Sequence, residues 1–322
     1  MRSTRLLPVL LAAALLAGAC DGGEPQPEPS PTAEMAVQVA SYDLAADRPQ
    51  RVMVGLVAPD GRVISYGTVT LSFSFLGRQQ ATGAPEPGPR AEATFLPIPG
   101  VQQPAGPADG PVLTAASESR GVYVAEGVAF GRAGIWQVDV TAEIAGGETL
   151  EAASQFGVQE EPQVPAPGDT APRTKNHLPG EEGVDLVSVD SAAGPAGKLP
   201  DPHLHRSTIA AAIAAGRPAL VIFSTPVYCV SRFCGPVTAV IAQLAREHQG
   251  DAAFIHVEVW KDFQGQVMNR AAADWIGDPT QGEVVQEPWL FLIGRDGTIL
   301  QRWDNVFDPL EVVEALGDAT QR

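Results

Sequence analysis

The first half of the chain alternates apolar and polar positions with few interruptions. In TVTLSFSFL, Val69, Leu71, Phe73 and Phe75 share one face while Thr70, Ser72 and Ser74 share the other. IWQVDVTAEI repeats the arrangement with Trp136, Val138, Val140, Ala142 and Ile144 against Gln137, Asp139, Thr141 and Glu143. A period of two over such lengths predicts strands with one buried and one wet face. AVQVASYDL, RVMVGLV, RVISYG, GVYVAEGVAF and TLEAASQFGV extend the pattern to about seven strands, with APDG at 58–61 as a turn. Between Gly77 and Pro111 proline and glycine dominate, interrupted by AEATFL at 91–96, which predicts a loose excursion with one extra edge strand.

After residue 158 the pattern changes. QEEPQVPAPGDTAPRTKNHLPGEEG, residues 159–183, has no periodicity and is rich in Pro, Glu and Gly, the composition of an interdomain linker. Beyond it strands and helices alternate. VDLVSV at 184–189 predicts a strand, and STIAAAIAAG a helix with Ser207 as N-cap and Gly216 as its stop. ALVIF at 219–223 is apolar throughout, as a central strand buried on both faces must be. PVTAVIAQLAREH at 236–248 predicts a helix opened by Pro236, AFIHVEVW a strand and QVMNRAAADWI a helix. WLFLI and TILQRW form a hairpin about Asp296-Gly297, and DPLEVVEAL closes as a helix. The expected fold is an all-β immunoglobulin-like sandwich over 34–158 and a separate α/β domain, a central mixed sheet with flanking helices, over 184–322.

A length of 322 residues accommodates two such domains. A formal net charge of −17 excludes the basic surface that nucleic acid requires and otherwise bears on solubility. Of three cysteines, the first ends MRSTRLLPVLLAAALLAGAC: Arg2 and Arg5, an apolar run from Leu6 to Ala17 too short to cross a bilayer, then small residues. This resembles a bacterial lipoprotein signal, which implies a signal peptide over 1–20 ending at a lipidated Cys20 and an extracytoplasmic protein anchored to the cell membrane. DGGEPQPEPSPTA at 21–33 then reads as a tether. Outside the cytoplasm disulfides persist, so the remaining pair, Cys229 and Cys234, is a candidate disulfide.

Five positions apart within one helix, two Cα atoms stand about 8–9 Å from each other, beyond the roughly 7 Å that a disulfide spans. Pairing therefore requires Cys229 in the loop after ALVIF and Cys234 at the helix entrance, where Pro236 suits the first turn. There the helix dipole and the unpaired backbone N–H groups favour a thiolate on Cys234. The strand–helix order, the cysteines between a core strand and a helix, CGP at the helix start and Pro288 ahead of WLFLI resemble the thioredoxin superfamily over residues 184–322. That resemblance implies a cis peptide at Pro288, backbone groups of Glu287 offered to an extended substrate, Cys234 as attacking thiol and Cys229 as resolving thiol. Tyr228, Phe233 and Trp289 are candidates for the floor of a peptide groove. The chain departs from the family in its C-x-x-x-x-C spacing, in the lack of an acid within ALVIF, and in Glu287, whose charge opposes thiolate formation.

The expected function is thiol–disulfide exchange with exported proteins or a membrane redox partner, needing no cofactor and no metal. Two alternatives stay open: a copper metallochaperone using Cys229 and Cys234, and a binding protein whose disulfide only staples the fold. Sco-type copper chaperones are thioredoxin-like, but they place a histidine near the fourth strand, where VVQEPW has none. His203 and His205 in DPHLHR read as loop residues, and His256 in AFIHVEVW as a packed or surface strand residue. STPVYC sets Thr225 one position too far from Cys229 for a peroxiredoxin motif. The sandwich is expected to present or bind a partner, by analogy alone.

Overall fold

The computed structural model describes residues 35–79, 84–100, 106, 110–117, 120–193, 197–229 and 233–321. The signal read over 1–20 with Cys20, and the tether over 21–33, lie outside the described residues. Within them the chain is mixed α/β, mostly strand, in several sheets. None of the described helices is long and apolar enough to cross a membrane.

Among the described residues the first part holds nine strands. They are β1 (Ala36–Val39), β2 (Pro49–Val57), β3 (Val63–Ser65), β4 (Thr68–Gly77) and β5 (Glu86–Pro97), then β6 (Val112–Thr114), β7 (Gly121–Ala129), β8 (Gly134–Ile144) and β9 (Glu148–Val158). The in-facing positions of the two runs, Val69, Leu71, Phe73 and Phe75 in one and Trp136, Val138, Val140, Ala142 and Ile144 in the other, are all buried, and Phe73 meets Phe130 edge-on at 5.3 Å. The strands run in one hydrogen-bonded path, β6-β3-β2-β7-β5-β4-β8-β9 with β1 on β2, where a sandwich implies two sheets. The cause is β5, which pairs with β4 over Glu86–Thr94 and with β7 over Thr94–Pro97. The excursion after Gly77 therefore contributes an interior strand, not an edge strand. Pro87 and Pro89 fall in the half of β5 that has β4 as its one strand neighbour, where a missing N–H need not cost a ladder bond. Gly88 is required by Trp136, because a Cβ there would stand 2.5 Å from the indole ring. The sheet curls so that β1 lies along β9, and bridges from Ala45 to Gln159 and Ala46 to Phe130 close it over an apolar core.

The second part is built on a sheet of order β11-β10-β14-β15: β10 (Ala219–Ser224), β11 (Ala253–Glu258), β14 (Trp289–Ile293) and β15 (Ile299–Asp304). A short pair, β12 (Trp260–Asp262) and β13 (Val267–Met268), lies apart from it. β10 runs parallel to β11 and antiparallel to β14. Every residue of β10 is buried, because α1 (Ile209–Ala214) and α3 (Arg270–Ile276) cover one face of the sheet. α2 (Cys234–Glu247) and α4 (Pro309–Gln321) cover the other. Phe223, Trp275 and Phe291 pack with centroids 5.0–5.7 Å apart on the first of these faces. The hairpin turn lies at Asp296-Gly297, with Gly297 at φ +85° and Thr298 N donating to Asp296 Oδ1 at 2.9 Å.

Three boundaries differ from the expected ones. VDLVSV forms no strand: Leu186–Ser188 is a 3-10 turn whose Ser188 hydroxyl donates to Asp185 O at 2.7 Å, a local bond that competes with sheet pairing. The cap of α1 is Thr208 rather than Ser207, since Thr208 Oγ1 accepts from Ala211 N at 3.1 Å. QVMN splits off as β13 and the cap Asn269, so α3 is the shorter for it.

Residues 159–183, linker-like in composition, are held down along their length. Ile299 N donates to Asp169 O and Ala171 N to Gly297 O, both at 2.9 Å, which covers the outer edge of β15. Val164 and Ala171 join the core beneath α1 and α3. Trp275 Nε1 donates to Thr174 Oγ1 at 3.0 Å, and Ile209 N to Asn176 Oδ1 at 2.9 Å.

Candidate functional site

Cys229, in the turn after β10, and Cys234, the first residue of α2, form a disulfide with Cα atoms 6.0 Å apart. Cys229 N donates to Thr225 O at 3.2 Å and so ties the turn to the end of β10. Cys234 is fully buried and Cys229 half-buried. Of the two, Cys234 is the more shielded, at the helix entrance, and Cys229 the more exposed.

The Glu287–Pro288 peptide, immediately before β14, is cis. Glu287 directs its carboxyl toward the disulfide, with Oε2 3.7 Å from Cys234 Sγ and Oε1 accepting from Trp260 Nε1 at 3.3 Å. Burial pushes the Glu287 carboxyl above the ordinary range, against the opposing pull of Thr225 and Trp260. Its carbonyl oxygen accepts from the Tyr42 hydroxyl at 2.8 Å, and the Pro288 carbonyl from Asn305 N at 3.0 Å. The strand lobe thus engages the backbone that the resemblance assigns to an extended substrate.

The aromatic candidates separate. Tyr228 is 43% exposed and stacks on Phe263 at 4.7 Å, with Trp260 edge-on to Phe263 at 6.0 Å. Phe263 and Trp260 escaped the sequence reading because they follow Tyr228 by more than thirty positions, in WKDF, with no periodic signal. Trp289 is buried between Tyr42 and Phe291, each 5.8 Å away, under the Arg302 guanidinium, and it also lines a cavity with Tyr42, Ile276 and Glu283. Phe233 packs with Met53, Val122 and Val306 against the strand lobe.

A second cluster lies beneath the same end of β10. Asp190, His205 and His256 are all buried, with Asp190 Oδ2 3.4 Å from His205 Nε2 and 3.7 Å from His256 Nδ1. Burial pulls His256 below the ordinary imidazole range and pushes Glu258 above the carboxylate range. Burial also pushes Asp190 upward, but the two imidazoles and the Ala192 N–H outweigh it and hold its carboxyl low. His205, read as a loop residue, instead ends the 3-10 turn Pro202–His205 and faces inward, whereas His203 stays outside. The signal for His256 was its place in a fully buried strand that is apolar but for His256 and Glu258; Asp190 carried none.

No family model matches the chain, and no curated protein does.

Proposed function

We propose that the protein is a lipid-anchored extracytoplasmic thiol–disulfide exchanger whose residues 184–322 form a thioredoxin-like domain. The sheet order β11-β10-β14-β15, with α2 entered directly from the cysteine turn, supports that reading. The nine-stranded lobe is read as immunoglobulin-like, its sheets joined through β5, and serves to present or bind the partner. The observation that carries the function is the Cys229–Cys234 bond at the start of α2, with Cys229 accessible and a buried carboxyl beside Cys234.

The steps follow from that placement. An incoming thiolate attacks Cys229 Sγ, the bond to Cys234 breaks, and its electron pair leaves on Cys234 Sγ. The N-terminus of α2 favours this charge. Glu287, whose burial favours its protonated form, is placed to give that proton to the leaving sulfur. The mixed disulfide on Cys229 ends when a second substrate thiol attacks the substrate sulfur and frees Cys229. In reverse the same steps reduce a substrate disulfide.

Equilibration of the full chain with glutathione buffers, read by thiol alkylation and mass, tests the reading. A midpoint between about −120 and −270 mV supports exchange; a pair still oxidised below about −300 mV removes it. The donors of Cys229, Cys234 and Glu287 lie within 4.8 Å of one another, which favours a copper-carrying alternative. Stoichiometric Cu(I) uptake by the reduced chain, lost in either Cys→Ser variant, would establish it.

Glu287 also predicts a pH signature. A carboxylate beside Cys234 opposes a second negative charge, so Glu287→Gln in a Cys229→Ser background should move the ultraviolet thiolate absorbance of Cys234 to lower pH. Because folding raises the Glu287 pKa, the stability it contributes is complete below the unfolded value and lost as pH rises through the folded one. The Gln variant should therefore gain on the wild type in urea unfolding as pH increases. Superimposable thiolate-absorbance and stability profiles would detach Glu287 from the site.

A further inference from the structure

The Asp190–His205–His256 cluster takes no part in the exchange steps, and its geometry calls for a cation. His256 Nε2 stands 2.9 Å from the carbonyl oxygen of Ser224, which can only accept. That nitrogen therefore carries the ring proton, and the lone pair of the neutral ring lies on Nδ1. It faces Asp190 Oδ2 at 3.7 Å, acceptor against acceptor. His205 brings Nε2 to 3.4 Å from the same oxygen. Among the described residues neither ring nitrogen of His205, nor Nδ1 of His256, has a partner with hydrogen-bond geometry. Asp190 is 2%, His205 4% and His256 1% exposed. At such depth an unsatisfied polar group costs about 1–3 kcal/mol.

We infer that Asp190, His205 and His256 bind a divalent transition-metal ion of the Zn2+ class through Asp190 Oδ2, His205 Nε2 and His256 Nδ1. Ligand atoms about 2.0–2.2 Å from a tetrahedral zinc stand about 3.3–3.6 Å apart. The 3.4 Å separation falls within that range, the 3.7 Å one lies just above it, and all three ligand atoms are within 4.8 Å of one another. The outer contacts that orient metal ligands are also in place. His256 donates its other N–H to the Ser224 carbonyl, and Asp190 Oδ1 accepts from Ala192 N at 2.8 Å. A hydrogen-bonded His–Asp–His row is the competing arrangement, and neither contact has the geometry for it. An ion there ties the turns at Ser191–Ala193 and Pro202–His205 to β11. Through Ser191, whose Oγ accepts from Val227 N at 3.2 Å, it also steadies the turn that bears Cys229.

The test uses the full chain with Cys229 and Cys234 oxidised, so that thiolates cannot compete, stripped with a chelator and titrated calorimetrically with ZnCl2. One equivalent should bind with a micromolar or tighter Kd and raise the Tm. His205→Gln and Asp190→Asn should each weaken binding by at least about 100-fold. Histidine ring-nitrogen NMR of the wild type decides the matter if a variant fails to fold. Zn2+ must then shift Nε2 of His205 and Nδ1 of His256 and leave His177, His203 and His248 unmoved. Absence of stoichiometric uptake, uptake undiminished in both variants, or shifts confined to the other three histidines overturns the inference.

Discussion

Cys234→Ser is expected to accumulate a mixed disulfide when mixed with a peptide disulfide, whereas Cys229→Ser accumulates none over the same interval. Both variants lose turnover, but they lose it at different steps. In Cys234→Ser the surviving thiol sits on the half-buried turn beside Tyr228 and Val227, which are 43% and 55% exposed. It can attack, and nothing remains to resolve the product. In Cys229→Ser the surviving sulfur is fully buried at the start of α2, with Phe233 before it packed on the strand lobe. Intact mass measurement separates the two outcomes. Trapping on Cys234 instead would restore the order of attack that the family resemblance implies.

Asp43→Ala is expected to destabilise the full chain by about 3–5 kcal/mol in urea unfolding, because it strands a buried guanidinium. Arg302 Nη1 donates to Asp43 Oδ2 at 2.8 Å and to Val164 O at 2.9 Å, and Nη2 to Asp43 O at 3.2 Å. The Asp43 carboxylate accepts from Gln163 N at 3.0 Å and Val164 N at 3.2 Å as well. With side-chain exposures of 12% for Arg302 and 3% for Asp43, water cannot replace these bonds. Replacing both partners by Asp43→Leu and Arg302→Met should recover part of the loss, since no uncompensated charge is left although Gln163 N and Val164 N lose their acceptor. A cost below about 1 kcal/mol for Asp43→Ala would mean that the pair behaves like a surface one.

What could be read in the chain was whatever has a period or a local chemical grammar. Alternation in β4 and β8, the unbroken apolar run of β10, Asp296-Gly297 in its turn and the separation of Cys229 from Cys234 each depend on neighbours within a few positions. β5 was obscured because its first half spends Pro87, Gly88 and Pro89 on accommodating Trp136 and an open flank. The site suffered most, because its decisive contacts are remote. Tyr42 reaches the Glu287 carbonyl across 245 positions, and Ser191 reaches Glu258 across 67. Asp190 and His205 meet His256 only after the chain has folded, so no spacing announces them.

The strap over 159–183 bears on where this protein can be divided. A recombinant α/β half begun at residue 184, where the alternating elements start, would arrive without Val164, Ala171, Thr174 and Asn176. Its hairpin edge at β15 would be bare, and the Trp275 indole N–H and the Ile209 amide would lack acceptors. The seemingly expendable proline-rich stretch is thus the α/β half's own outer wall, and excision should be made upstream of Gln159 if that half is to stay monomeric.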